Sequence, residues 1–200
     1  MSLIYFLDLV GTFVFAISGS LAASEKKFDI FGALFVASVT AVGGGTVRDA
    51  ILGSTPVFWT MDTNYLLVIT GAVAFTVLFK KIVTRLRTTL FLFDTMGLGV
   101  FTFIGVEKAS LMGISPAICV IMGTFTAVLG GVIRDTLCNE VPLIFREEIY
   151  ATACIVGGII FVLLSYLGLA DNITTWASVF SVISIRILAI KYHITLPKMK

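Results

Sequence analysis

Thr40-Ala41-Val42-Gly43-Gly44-Gly45-Thr46-Val47-Arg48-Asp49 is written again 86 residues later as Thr126-Ala127-Val128-Leu129-Gly130-Gly131-Val132-Ile133-Arg134-Asp135. The same shift carries Asp8 onto Asp94, Gly11 onto Gly97, Gly19 onto Gly105, Pro56 onto Pro142 and Gly71 onto Gly157. Between residues 8 and 78 the alignment needs no gap, and about nineteen of roughly seventy pairs are identical. Chance agreement between two apolar stretches supplies some of these, but not a shared Gly-Gly-x-x-Arg-Asp followed by proline. The chain is therefore read as two copies of one unit.

Both copies have the composition of membrane-embedded sequence. Of the 200 residues 58% are hydrophobic and 13% charged, with a mean hydropathy of +1.06. Soluble domains average roughly 45–50% apolar and about 25% charged residues. This excludes a soluble enzyme and leaves no room for a separate soluble domain. The start of the chain has no basic n-region and already belongs to the first copy, so it does not read as a cleavable signal. Cys119, Cys138 and Cys154 sit in apolar segments without CxxC spacing and read as small buried hydrophobes.

A crossing needs about twenty apolar residues. Seven segments qualify, at 3–22, 30–52, 63–80, 89–107, 114–138, 149–167 and 173–191, the third short and the fifth long. The expected fold is an all-α polytopic membrane protein, two three-helix repeats plus a seventh helix. The domains are 1–88, 89–172, and 173–200 for the seventh helix with its cytoplasmic tail. Three crossings per copy make the second copy enter from the opposite face, which gives inverted repeats. Lys26, Lys27, Lys80, Lys81, Arg85, Arg87, Arg146, Lys191, Lys198 and Lys200 fall on one side of this arrangement, and Lys108 alone on the other. The positive-inside rule then puts the N-terminus outside and the C-terminus in the cytoplasm. The run Lys80, Lys81, Arg85 and Arg87 reads as a cytoplasmic anchor against anionic lipid, and Trp59 and Trp176 as outer interfacial tryptophans.

The glycines at 43–45 and 130–131 lie inside the second and fifth spans. Each costs about 1 kcal/mol of helix propensity against alanine, so both helices are expected to break there. In a membrane, unwound backbone is tolerated where it is buried in protein or lines a water-filled cavity. Close packing of small residues is the alternative. Gly43, Gly44, Gly45, Thr46, Gly130 and Gly131 are thus candidate lining residues, with Thr40 and Thr126 supplying hydroxyls. Arg48-Asp49 and Arg134-Asp135 follow three residues on. Charges at membrane depth need partners, and adjacent helical residues point about 100° apart. Arg48 and Arg134 are therefore expected to pair with Asp8 and Asp94, the first-helix carboxylates of one repeat or the other, with snorkelling to the nearby interface as the alternative. Glu107-Lys108 reads as a solvated or interfacial pair.

The first motif also resembles the GG-x-VRD-x-x-LG stretch of template-independent tRNA nucleotidyltransferases. Their second acid is missing, since the following Val57–Asp62 stretch offers Asp62 alone, and no nucleic-acid partner is expected.

The whole chain resembles the prokaryotic trimeric intracellular cation (TRIC) channels, a group overlapping bacterial glycine-transporter-domain inner-membrane proteins. The likeness is carried by Ala41 to Asp49, Leu52-Gly53, Pro56-Val57-Phe58-Trp59 and Gly130 to Asp135. Two positions depart in the second copy, Leu129 for the first glycine and Asn139 where Gly53 stands. The resemblance implies a homotrimer with one pore per protomer, bounded by the first, second, fourth and fifth helices. It implies permeation by monovalent cations, chiefly potassium, with Gly43, Gly44, Gly45, Gly130 and Gly131 along the path. Arg48, Asp49, Arg134 and Asp135 would shape or gate it. No cofactor or metal is expected beyond permeant potassium and bound lipid. The Lys-Glu-Val lipid motif of animal members has no match, so phosphoinositide regulation is not carried over. A secondary transporter of glycine or a similar zwitterion fits inverted repeats equally well. An intramembrane enzyme lacks a spanning histidine, a carboxylate pair or an activated nucleophile.

Overall fold

A computed structural model describes residues 3–79 and 88–197. Lys80, Lys81, Arg85, Arg87, Lys198 and Lys200 lie outside these, and with them the expected lipid anchor. The described residues form seven α-helices: α1 (Leu3–Glu25), α2 (Ile30–Leu52), α3 (Asn64–Leu78), α4 (Thr88–Leu111), α5 (Pro116–Leu137), α6 (Ala151–Tyr166) and α7 (Asp171–Lys191). A short 3₁₀ turn, Leu143–Phe145, precedes α6. Five helices are long and apolar enough to cross a membrane, and α3 and α6 are shorter. The chain is a polytopic α-helical membrane protein.

Helix ends follow local chemistry. Asp29 caps α2, its carboxylate accepting the Gly32 N–H at 2.7 Å. Pro116 opens α5, where its missing N–H costs nothing. The departure at Asn139 is conformationally silent, because Gly53 and Asn139 both turn left-handed, at φ 64° and 54°. Asparagine tolerates this region better than other side chains. Ser54 N then donates to Asp49 O, and Glu140 N to Asp135 O, both at 2.9 Å.

The expected breaks in α2 and α5 do not occur. Both helices run uninterrupted through their glycines, which serve packing instead. A Cβ on Gly44 would stand 2.1 Å from the Thr126 carbonyl oxygen, and one on Gly130 would stand 2.3 Å from that of Thr40. The helices cross backbone to backbone, and contact enthalpy offsets the lost propensity. Thr40 and Thr126 fold their hydroxyls back onto the carbonyls of Val36 and Met122, each at 2.6 Å, so each donates its proton within its own helix.

This contact fixes the symmetry. Gly44 meets Thr126 and its equivalent Gly130 meets Thr40, so equivalent residues exchange across antiparallel helices. The same exchange joins α1 to α4, where a Cβ on Gly97 would strike the Phe15 ring and one on Gly11 the Phe101 ring. A two-fold axis relating antiparallel helices in this way lies across them, in the membrane plane, which makes the repeats inverted.

The gap-free register fails after the motif. On α3 the buried residues are Tyr65, Ile69, Ala72, Val73 and Thr76. On the α6 side Tyr150 is buried, followed by Ala153, Cys154, Gly157, Gly158 and Phe161. All but Ala153 match the α3 set at a shift of 85 (150 − 65), so the second copy is one residue shorter in its loop. Gly71 is not the counterpart of Gly157, as the plain repeat suggests; Ala72 is. The three cysteines are buried and unpaired, as expected.

Candidate functional site: two charged clasps flanking a helix crossing

Below the crossing, toward the α1 C-terminus, Arg134 ties three helices together. Its Nη1 donates to Asp94 Oδ1 of α4 and to Ser18 Oγ of α1, both at 2.5 Å. Its Nε donates to Asp135 Oδ1 at 2.8 Å. Asp135 Oδ2 accepts the Leu143 N–H at 3.1 Å, which anchors the loop after α5. Arg134 and Asp94 are both fully buried. The expected pairing of this arginine with a first-helix carboxylate is therefore present, supplemented by its own neighbour.

Above the crossing the same residue types make different bonds. Arg48 does not take Asp8. It turns to Asp49, with Nε and Nη2 at 2.8 and 2.7 Å from Oδ1, and its guanidinium lies 5.4 Å from the Phe58 ring centre. Adjacency was expected to keep the two from satisfying each other fully; the long arginine side chain bends back to its neighbour in both repeats, and Arg134 takes Asp94 as well. Asp49 Oδ2 accepts the Phe58 N–H at 3.1 Å, the counterpart of the Leu143 bond. Asp8 is satisfied by Tyr65, whose hydroxyl donates to Oδ2 at 2.7 Å.

Lys108 corrects another expectation. It is no solvated partner of Glu107, because its Nζ lies 2.7 Å from buried Asp49 Oδ1. Sequence symmetry gave no signal, since the repeat places Ala22 opposite it. Thr46 is also engaged, donating to the Val42 carbonyl at 2.7 Å and accepting Trp59 Nε1 at 3.0 Å. Trp59 is thus a half-buried brace for α2. Gly43 faces Ile133, Gly45 the Phe58 ring and Gly131 the Tyr150 hydroxyl.

Taken at ordinary charges, the lower cluster (Arg134, Asp94, Asp135) carries one net negative charge and the upper one (Arg48, Lys108, Asp8, Asp49) none. Buried ions in such pairs hold together because removing one partner strands the other. Beside the lower clasp is a recess of about 240 Å³ lined in part by Lys26, Arg134, Asp135, Cys138, Glu140 and Arg146. Lys26 Nζ bonds Glu140 Oε1 across it at 2.6 Å. This hydrogen bond holds the lysine pKa above its ordinary range and the glutamate pKa below. Sequence reasoning missed Tyr65, Tyr150, Ser18 as an arginine partner, the Lys26–Glu140 bridge and Arg186. An arginine inside a predicted span is itself a signal.

An inverted pair of three-helix units, with buried ions on both sides of a glycine crossing, defines a polytopic membrane protein of the inverted-repeat class. The chain belongs to the family whose model is described as "Glycine transporter", which matches twice, over residues 5–81 and 91–166. The starts of the two matches lie 86 residues apart, the shift of the repeat. A "UPF0126 membrane protein" of Vibrio cholerae is 48% identical over 98% of this chain and 82% of its own length. The "UPF0126 inner membrane protein YadS" of Escherichia coli K12 is 45% identical over 98% and 95%. Among solved structures, a TRIC trimeric intracellular cation channel orthologue from Rhodobacter sphaeroides is 36% identical. It superposes at a TM-score of 0.92, over 97% of this chain and 100% of that one. These likenesses place the chain with the prokaryotic TRIC channels.

Proposed function

We propose that the protein is a monovalent cation channel, with potassium the chief permeant ion. It is a homotrimer with one pathway in each protomer, set in the inner membrane with its N-terminus outside. The observation that carries this reading is the α2–α5 crossing at Gly44 and Gly130, flanked at equivalent positions by two buried ionic clasps. The pathway runs between α1, α2, α4 and α5, with Gly43, Gly45, Thr46 and Gly131 near its waist. Arg134 with Asp94 and Asp135 closes one end. Arg48 and Lys108 with Asp49, and Asp8 close by, close the other.

Charge supports cations over anions. Neither cluster has a net positive charge despite its arginine, so a cation leaving water meets acids rather than an uncompensated barrier. The similar Rhodobacter protein is called a cation channel, and the E. coli relative an inner membrane protein. The experiment is reconstitution into liposomes, with potassium and chloride flux read on the same preparation.

A second reading is favoured by one observation, that the two clasps are bonded differently. Inverted repeats in unlike states suit alternating access, so a secondary transporter of glycine or a similar zwitterion is the competing function. Saturable exchange of labelled glycine without unitary currents would select it.

A further inference from the structure

Arg186 is a buried cation on α7, the helix outside the repeat, and it is fully inaccessible. Its guanidinium lies between two aromatic faces, 4.6 Å from the ring centre of Phe91 and 4.8 Å from that of Tyr150. Nη1 donates to the Ile149 carbonyl at 2.9 Å and meets Glu148 Oε2 at 3.3 Å. Cations bind well to ring faces when both are desolvated, so the Tyr150 ring is clamped.

The consequence shows against Tyr65. Among the described residues that tyrosine has no arginine on its face. It packs against the Phe58 ring, centres 5.0 Å apart and planes nearly perpendicular, and its hydroxyl reaches Asp8 at 2.7 Å. The Tyr150 hydroxyl is buried and makes no hydrogen bond among the described residues, and neither does Asp94 Oδ2. Yet the two residues stand around one point. A Cβ on Gly131 would be 2.6 Å from the Tyr150 hydroxyl, and 3.6 Å from both Arg134 Nη2 and Asp94 Oδ1. The hydroxyl, Asp94 Oδ2 and Arg134 Nη2 all stand without a hydrogen bond among the described residues, while Arg134 Nη1 holds the aspartate through Oδ1.

We propose that Arg186 is a positioning residue. By stacking on Tyr150 it withholds the tyrosine from Asp94, and so reserves Asp94 for Arg134. The upper half displays the other setting of the same triad, with tyrosine on the first-helix aspartate and arginine on its own neighbour. The seventh helix thereby breaks the symmetry of the repeats and holds the lower clasp shut. The effect on flux rests on the channel reading; the exchange of bonds does not.

The test uses the full-length protein with Cys119 and Cys154 replaced by alanine. Cys138, only 3% exposed, then reports on the recess it shares with Arg134. A membrane-impermeant maleimide is applied from the face bearing Lys26. R186Q is expected to speed Cys138 labelling by roughly fivefold, the low end of coupling between linked sites. R186K, which keeps the cation between the rings, labels as the parent does. Y150F alone changes nothing, since its hydroxyl holds no bond. Y150F added to R186Q returns labelling to the parental rate, because phenylalanine has no proton to give Asp94. A merely destabilised protein would show no such rescue. F91L, which removes the other face of the clamp, serves where R186Q does not assemble, and its rise must also vanish with Y150F. Equal labelling of parent and R186Q, or fast labelling that persists in the double variant, overturns the proposal. Labelling that follows the pattern, with no potassium flux in any variant, supports the exchange and overturns the channel reading.

Discussion

Gly44 stands so close to Thr126 that a single added carbon would lie 2.1 Å from the threonine carbonyl oxygen. The obstacle is backbone in the middle of another helix, which has no rotamer through which to yield. The two-fold exchange repeats the constraint at Gly130 and Thr40, so both helices are fixed at one point, with buried charge on either side.

Even alanine at Gly44 or Gly130 is therefore expected to destabilise the protein, by about 1–3 kcal/mol or more, as overpacking does. Gly71 is the control, because a Cβ there meets nothing within 4 Å. G71A should be neutral or stabilising by about 0.5–1 kcal/mol, through helix propensity. Thermal unfolding of the three variants in detergent checks the contrast.

Removing the cation of the lower clasp strands two buried carboxylates, whereas removing Asp94 leaves Arg134 on Asp135. R134M is expected to cost about 3–5 kcal/mol and D94A less, while D94L with R134M recovers part of the R134M loss because only Asp135 is then left without its cation. A double-mutant cycle on unfolding midpoints measures the coupling. Additive losses would contradict the pairing.

Lys108 is partly exposed, at 28% of its side chain, against a fully buried Asp49. K108M is expected to cost about 1 kcal/mol or less, since its charge is partly solvated and Arg48 stays on the carboxylate. D49N should cost more, because it strands both cations. Under the channel reading K108M also weakens closure of its end, so potassium flux rises; an unchanged flux would remove Lys108 from the gate.

The Lys26–Glu140 bridge spans the mouth of the lower recess. Its two side chains are 33% and 50% exposed, so K26M should leave stability nearly unchanged. Its effect is expected on access, as faster labelling of Cys138 by an impermeant maleimide. Labelling at the parental rate would show that the bridge does not cover the recess.

The repeat made much of this legible. Arg134 was expected on a first-helix carboxylate of one repeat or the other, because charges in spans need partners, and the structure supplies Asp94. The same logic misassigned Arg48, for Asp8 is taken by Tyr65 and Asp49 gains Lys108, a residue whose equivalent is Ala22. The glycine runs were ambiguous by nature. Low helix propensity predicts a break and small size predicts contact, and only the position of the neighbouring helix decides. Tyr150 was hidden by one missing loop residue, which slides it off Tyr65 in a gap-free alignment. Arg186 was visible as a charge within a span, but it had no copy to pair with and so drew no attention.

Under the channel reading ions pass through each protomer beside the Gly44–Gly130 crossing. The most direct measurement is single-channel recording of the purified protein in planar bilayers under a potassium chloride gradient, with labelled glycine uptake into liposomes from the same preparation. Unitary currents that reverse near the potassium equilibrium potential, with no saturable glycine uptake, are expected. Saturable glycine exchange without unitary currents would contradict the channel reading and make the two clasps the gates of a transporter.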